Sequence, residues 1–283
     1  MKVSEAFREF TSNYIDLRGL DSSTYVNYKD AIESFIKVVG DIDIADITLD
    51  HVVQYRKSIE TYNKTSTVRT KLSKLKNVLL YTNRRKYTVF PVDEIYLPRL
   101  PMPLPNYVTP AEVRSLVEAC DNIKHKAILL FLFSSGVRAG ELVNLNRSDI
   151  TENTVRIYNG KNGRSRMVYI DAPTRYYLEE YLRRRTDNKD ILFYTMQKGR
   201  YSVPAIRHMI IKYSKIAGIT RHLTAHQMRH GFATNLVKNG ANLRVIQELL
   251  GHKYITNTQI YTHLDDEDKR LAYEKCYRSA IDM

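Results

Sequence analysis

Five of the chain's eight prolines fall in one stretch, "FPVDEIYLPRLPMPLP" (Phe90–Pro105). Proline locks φ and removes a backbone donor, so no helix interior or central strand can run through such a segment. It favours extended chain instead. A 283-residue chain broken once in this way reads as two domains: a helical block over residues 1–86, a linker over 87–106, and a second domain over 107–283.

The first block reads as four helices with short polar breaks. "VSEAFREFTSNYIDLRG" runs to Gly19, and "SSTYVNYKDAIESFIKVVG" starts at a Ser/Thr cap and stops at Gly40. "TLDHVVQYRKSIE" has Thr48 as its expected cap. In "TSTVRTKLSKLKNVLLYTNRRK", Val68, Leu72, Leu75 and Leu79 form one stripe at helical spacing. Lys71 and Lys74 flank that stripe on one side, Arg69 and Lys76 on the other, and no acid occurs from Thr61 to Val92. Such a face is either solvated or laid on DNA, and the spacing leaves both readings open.

The second block opens with "TPAEVRSL". Thr109 is the expected cap, Pro110 takes the first helical position, and Glu112 closes a capping box. "KAILLFLF" (Lys126–Phe133) is too short to span a bilayer and reads as a buried helix. "TVRIY" and "RMVYI", separated by "NGKNGRS", predict a hairpin with a glycine-bearing turn. The later helices "PAIRHMIIKYSKIAG", "TAHQMRHGFATNLVKNG" and "NLRVIQELLG" each end at a glycine suited to a left-handed cap. The expected fold class is mainly α: an N-terminal four-helix domain, then an α-rich domain holding a small antiparallel β-sheet.

Charge narrows the partner. The formal net charge is +13, and 43 % of residues are apolar, enough for ordinary cores. Residues 1–100 carry 16 Lys/Arg against 13 Asp/Glu, and residues 101–283 carry 28 against 18. That excess points to a polyanion. No long apolar run or basic N-terminal signal points to a membrane. Cys120 and Cys276 lack metal-site spacing and read as plain thiols of a reducing cytosol. No clustered carboxylates or His/Asp pairs suggest a metal-dependent nuclease, so no metal or other cofactor is expected.

The chemistry-bearing residues lie in the second block. In "AHQMRHGFAT", His226 and Arg229 are three apart and share a helix face. Arg229 offers a planar fork matched to phosphate oxygens, and His226 can move a proton near neutral pH. His230 is expected to point elsewhere and pack. In "FLFSSGVRAGELVNL", an apolar helix breaks at Ser134-Ser135-Gly136 and another begins near Ala139, which leaves Arg138 in the turn. Glu141, three residues on, can reach back to hold that arginine. Lys161 sits in the hairpin loop. "NLRVIQELLG" ends at Gly251, so His252 follows at a fixed exit, and Tyr261 comes after the polar turn "YITNTQ". A phenol ionises near pH 10, so it is a poor nucleophile unless cations and proton acceptors surround it.

Taken in order, Arg138, Lys161, His226, Arg229, His252 and Tyr261 resemble the pattern of the tyrosine recombinases, the phage-integrase and Xer-like family. The contexts "SGVRAGEL", "RHGFAT" and "ELLGH" with "TQIYTH" match as well. The similarity covers both domains and is strongest from Tyr107 to Leu264. Gln227 and Met228 stand where the family often has Asp and Leu. The resemblance implies that Tyr261 attacks a scissile phosphate to give a 3′-phosphotyrosyl link and a free 5′-hydroxyl. Lys161 would protonate the leaving oxygen; Arg138, Arg229 and His252 would bind the phosphate; His226 would act as general acid/base; and Glu141 would support the arginines. It further implies double-stranded DNA with a short inverted-repeat core as partner, with Arg69, Lys71, Lys74 and Lys76 as DNA contacts. A homotetramer on synapsed DNA follows, with room for a second recombinase or an activator, in the cytoplasm at a prokaryotic nucleoid. The resulting task would be dimer or co-integrate resolution, or integration and excision of an element. The segment after Tyr261 would dock on a neighbouring protomer or pack on its own domain. A type IB topoisomerase and an inactive DNA-binding accessory protein are the alternatives.

Overall fold

The computed structural model describes residues 1–16, 22–100, 106–158, 165–195, 197 and 199–251. The chain divides into two compact units, Met1–Pro103 and Leu104–Met283.

The first unit holds α1 (Val3–Phe10), α2 (Ser22–Val39), α3 (Leu49–Glu60) and α4 (Thr65–Arg84). The stripe of α4 is buried: Val68, Leu72, Leu75 and Leu79 pack with Phe10, Tyr28, Ile32, Phe35, Tyr55 and Ile59. Thr48 caps α3 by accepting the His51 amide, as its sequence predicts. The first helix differs from expectation. Its regular α-turns end at Phe10, and the chain continues as a wider π-helix over Thr11–Asp16. The Thr11 hydroxyl donates back to the Arg8 carbonyl at 2.7 Å, a local bond that competes with the helical ladder.

The segment expected to be linker is packed chain over its first half. Phe90, Val92 and Ile95 are buried in the core of the first unit, around a 3₁₀ turn at Val92–Glu94. Asn83 clamps the peptide of Phe90 in both directions, donating to its carbonyl at 2.6 Å and accepting its amide at 3.2 Å. Prolines remove donors but leave carbonyls, and α4 takes these up. Arg69 donates to the Pro98 carbonyl at 2.6 Å and Lys76 to the Ile95 carbonyl at 3.2 Å.

The second unit runs α5 (Pro110–Glu118), α6 (Ile123–Ser135), α7 (Ala139–Asn144), β1 (Ile150–Thr151), β2 (Thr154–Tyr158), β3 (Ser165–Tyr169), α8 (Ala172–Arg183), α9 (Val203–Ile216), α10 (Ala225–Lys238) and α11 (Leu243–Leu250). The capping box of α5 forms as expected: Glu112 N donates to Thr109 Oγ1 at 3.2 Å and Thr109 N to Glu112 Oε2 at 2.8 Å. Apolar α6 is buried through Ile128, Leu129, Phe131 and Leu132. The expected hairpin is β2–β3, with Thr154 opposite Tyr169 and Tyr158 opposite Ser165. The short β1 adds a third antiparallel strand outside β2. Val155, Ile157 and Val168 turn inward. α9, α10 and α11 run out at Gly218, Gly240 and Gly251, all with positive φ.

Two glycines fix how these elements meet. Gly136 ends α6 at φ +62, and a Cβ there would lie 2.3 Å from the Phe232 ring of α10. At Gly231, inside α10, a Cβ would lie 2.0 Å from the Val108 carbonyl oxygen. The strand-like entry to α5 thus lies directly on α10, and Val108 N donates to the Gln227 carbonyl at 3.1 Å. The Gly136 turn thus seats the end of α6 on α10, and α7 starts three residues later.

Candidate active site

Arg138 is the N-cap of α7 and keeps 45 % of its side chain exposed. Glu141 closes the capping box beneath it, accepting the Arg138 amide at 2.9 Å and Arg138 Nη1 at 2.8 Å. The same carboxylate meets a second guanidinium. Arg166 of β3 donates from Nη1 to Oε1 at 2.9 Å and from Nη2 to Oε2 at 2.7 Å, the parallel two-pronged geometry that suits Arg and carboxylate. Burial alone would raise the Glu141 carboxyl. The Arg166 hydrogen bonds and charge, helped by Arg138, overcome that and hold it down at about 2. Glu141 is therefore an anion throughout the neutral range, and it fixes Arg138 in the turn.

Among the described residues Arg229 is the largest fully buried side chain, 1 % exposed. Arg229 Nη1 donates to the Gly136 carbonyl at 2.6 Å and Nη2 donates to the Leu250 carbonyl. Arg166 Nε donates to the neighbouring Leu249 carbonyl at 2.8 Å. Helix C-termini leave carbonyls without intrahelical partners and favour cations, so these arginines complete the ends of α6 and α11.

His226, one turn before Arg229, has its Nε2 2.8 Å from Nε2 of His230. The expectation that His230 points elsewhere is corrected: spacings of three and four both fall on one helix face. Both imidazoles are disfavoured as cations. His226 is held below its ordinary range by burial and then by Arg229 and Arg138; His230 is pushed down to about 4 by burial, His226 and Arg229. The two Nε2 atoms lie within hydrogen-bond distance, and the tautomers decide which ring donates.

Arg138, His226 and Arg229 border a cleft of about 360 Å³ that Gly140, Val203 and Arg207 also line. Of the residues singled out in the sequence, Arg138, His226 and Arg229 converge here, and Glu141 is bonded to Arg138. Lys161, His252 and Tyr261 lie outside the described residues, as do Cys276 and the rest of the tail. Cys120 is a buried free thiol. Arg166 was missed. Its signal was an arginine at an inward strand position, in phase with Val168. In the first unit the four α4 cations expected to contact DNA all have protein partners. Besides Arg69 and Lys76, Lys71 pairs with Asp30 at 2.9 Å and Lys74 Nζ lies 4.4 Å from the Tyr28 ring centre. Among the described residues no group of three or more His, Cys, Asp or Glu side chains could hold a metal ion, and no helix is long and apolar enough to cross a membrane.

The profile of the phage integrase family matches residues 106–268. Tyrosine recombinase XerA of Pyrococcus horikoshii is 31 % identical over 277 residues, 96 % of this chain and 93 % of the relative. Tyrosine recombinase XerD of Vibrio vulnificus is 31 % identical over 269 residues, 88 % of each chain. The crystal structure of XerA recombinase is 27 % identical, covers 98 % of this chain and 100 % of its own, and superposes with a TM-score of 0.57. A lambda integrase tetramer bound to a Holliday junction superposes at 0.77 over 94 % of this chain and 80 % of its own; at 17 % identity it speaks for the fold. The chain belongs to the phage integrase family. Within that family it is a tyrosine-type site-specific recombinase.

Proposed function

We propose that the chain cuts and rejoins double-stranded DNA at a short inverted-repeat core, using Tyr261 as nucleophile. The observation that carries this is the convergence of Arg138, Arg229 and His226 on one cleft. Two guanidinium groups and an imidazole there match a phosphodiester, whose non-bridging oxygens gain charge as the phosphorus becomes five-coordinate. The Tyr261 oxygen forms its bond to phosphorus as the bond to the 5′ oxygen breaks. The phenolic proton passes to His226, and the leaving oxygen takes its proton from Lys161. Arg138, Arg229 and His252 hold the phosphate, with Glu141 fixing Arg138. The phosphotyrosine keeps the bond energy, so a 5′-hydroxyl of a partner strand can reverse the step without a nucleotide or metal.

The first unit, extended through residue 100, is the core-binding domain, and the second unit is catalytic. Arg69, Lys71, Lys74 and Lys76 would exchange protein partners for DNA phosphates when the duplex arrives, a trade worth making because each phosphate contact releases condensed counterions. Four protomers would synapse two sites and pass through a Holliday junction, in the cytoplasm on nucleoid DNA. The tail after Tyr261 would couple neighbouring protomers. A second recombinase or activator would determine which strands exchange first.

The target sequence emerges from the test itself. The full chain is mixed with a pool of nicked duplexes whose core is randomised, and DNA attached to denatured protein is recovered and sequenced. An inverted-repeat consensus joined to Tyr261 is expected. Covalent attachment that persists in Tyr261→Phe refutes the assignment. Relaxation of plasmids lacking the consensus would instead identify a topoisomerase.

A further inference from the structure

Arg166 joins three elements. It is carried by β3, its two Nη atoms clasp Glu141 of α7 at 2.9 and 2.7 Å, and its Nε holds the Leu249 carbonyl at the end of α11 at 2.8 Å. Its side chain is 11 % exposed, against 9 % for Glu141, so the pair is shielded from water. The guanidinium lies against the chain as it leaves α11: a Cβ on Gly251 would be 3.1 Å from both Arg166 Cδ and Nη1. His252 is the next residue in the chain.

We propose that Arg166 is a positioning residue for phosphate activation. By tying the end of α11 to the Arg138–Glu141 turn, it sets where the chain delivers His252 relative to the phosphate that Arg138 binds. This inference rests on the reading of Arg138 and His252 as phosphate ligands. The geometry explains why the residue is arginine. A planar fork can give two parallel bonds to a carboxylate and a third, from Nε, to a carbonyl beside it. A lysine ammonium is a point donor at the end of a flexible stem and cannot hold both acceptors in fixed relation. Nor is the tie a simple charge pair. The Leu249 and Leu250 carbonyls are adjacent and are taken by Arg166 and Arg229 in turn, so the last turn of α11 is pinned at two successive peptides. Freeing one of them allows that turn to rotate about the other.

The test is single-turnover cleavage of the nicked consensus duplex recovered above, with duplex affinity measured alongside. A displacement of about 1 Å at a reacting centre costs about 10²-fold in rate, so Arg166→Lys should lower cleavage by that factor while affinity changes less than about 3-fold. The decisive readout is a double-mutant cycle with His252→Ala. If Arg166 acts through His252, adding R166K to H252A lowers the residual rate by no more than about 3-fold. An R166K rate equal to that of the natural chain overturns the proposal. An equal penalty in both backgrounds also does, because it marks a general structural role. Should R166K fail to fold, Arg166→Met combined with Glu141→Gln removes both shielded charges together and leaves neither unpaired. Compared with E141Q alone, it should show the same His252-dependent loss, and an E141Q-like rate would count against the proposal. Absence of any covalent product from the natural chain refutes the recombination chemistry itself; normal cleavage by that chain confines a failure to Arg166.

Discussion

Glu141→Gln tests whether the charge beneath the catalytic turn is as strongly bound as its surroundings imply. In the folded chain the carboxyl is held at about 2, against an ordinary 4.5. At about 1.4 kcal/mol per tenfold change in proton affinity, that difference is worth about 3 kcal/mol. The folded pKa is depressed, so this stability is present above pH 4.5 and is lost as pH falls through about 2. The partner that decides the size is Arg166. Arg138 is 45 % exposed, and an ion pair in that position contributes little. The Arg166–Glu141 pair is shielded on both sides, and removing one partner of such a pair costs about 3–5 kcal/mol, in agreement with the first figure. The chain has no tryptophan, so unfolding in urea is followed by far-UV circular dichroism. The first unit, with a core of its own, serves as an internal reference. E141Q should lose about 3 kcal/mol from the second-unit transition at pH 7 and about half that at pH 3. A loss under about 1 kcal/mol at pH 7, or one equal at the two pH values, refutes the argument that a shielded carboxylate anchors this turn.

Three further outcomes follow from separate contacts. Gly231→Ala should destabilise the second unit by at least about 1–3 kcal/mol despite the higher helix propensity of alanine, because its Cβ meets the Val108 carbonyl; an unchanged melting temperature would show that α5 yields freely. The His226–His230 pair should make the second unit less stable as pH falls below 6.5 towards 4, since both folded pKa values are depressed and the unfolded chain binds more protons. His230→Gln should flatten that slope in acid titrations of unfolding, and an unaltered slope would deny the pair this role. Replacing both Arg69 and Lys76 by Ala should free the 87–100 segment and speed chymotryptic cleavage at Tyr96, read as the half-life of the intact chain; equal half-lives would show that burial of Phe90, Val92 and Ile95 suffices.

The features legible in the sequence were those fixed by neighbours along the chain. The stripe of α4, the caps at Thr48 and Thr109, the β2–β3 hairpin and the glycine ends of α9, α10 and α11 depend on local residue patterns, which a sequence displays directly. Long-range partners were not displayed. Proline content marks Phe90–Pro105 as chain without long helix or strand, yet its first half is packed, and its carbonyls are bound by cations 29 and 19 residues away. The same holds within the site. Arg138 and Glu141 are three apart and their pairing was readable; Arg166 reaches partners 25 and 83 residues distant. His230 was misassigned because a helical face admits both third and fourth neighbours, and side-chain rotamers decide which of them touch.

The arginines also explain how so cationic a site is compatible with a stable fold. Arg229 is buried, a costly place for a charge unless its donors are matched. It donates to the carbonyls that close α6 and α11, where helix dipoles place partial negative charge, and Arg166 brings in a carboxylate. The field that would hold a phosphate is thus assembled at folding and held by backbone groups that cannot move away as charge shifts during reaction. Arg138, exposed and tied to Glu141 from one side, is the member of the set with freedom to change partners. The division is physical: the buried guanidinium of Arg229 would present a fixed charge to the phosphate, and the exposed one of Arg138 would follow it as charge shifts.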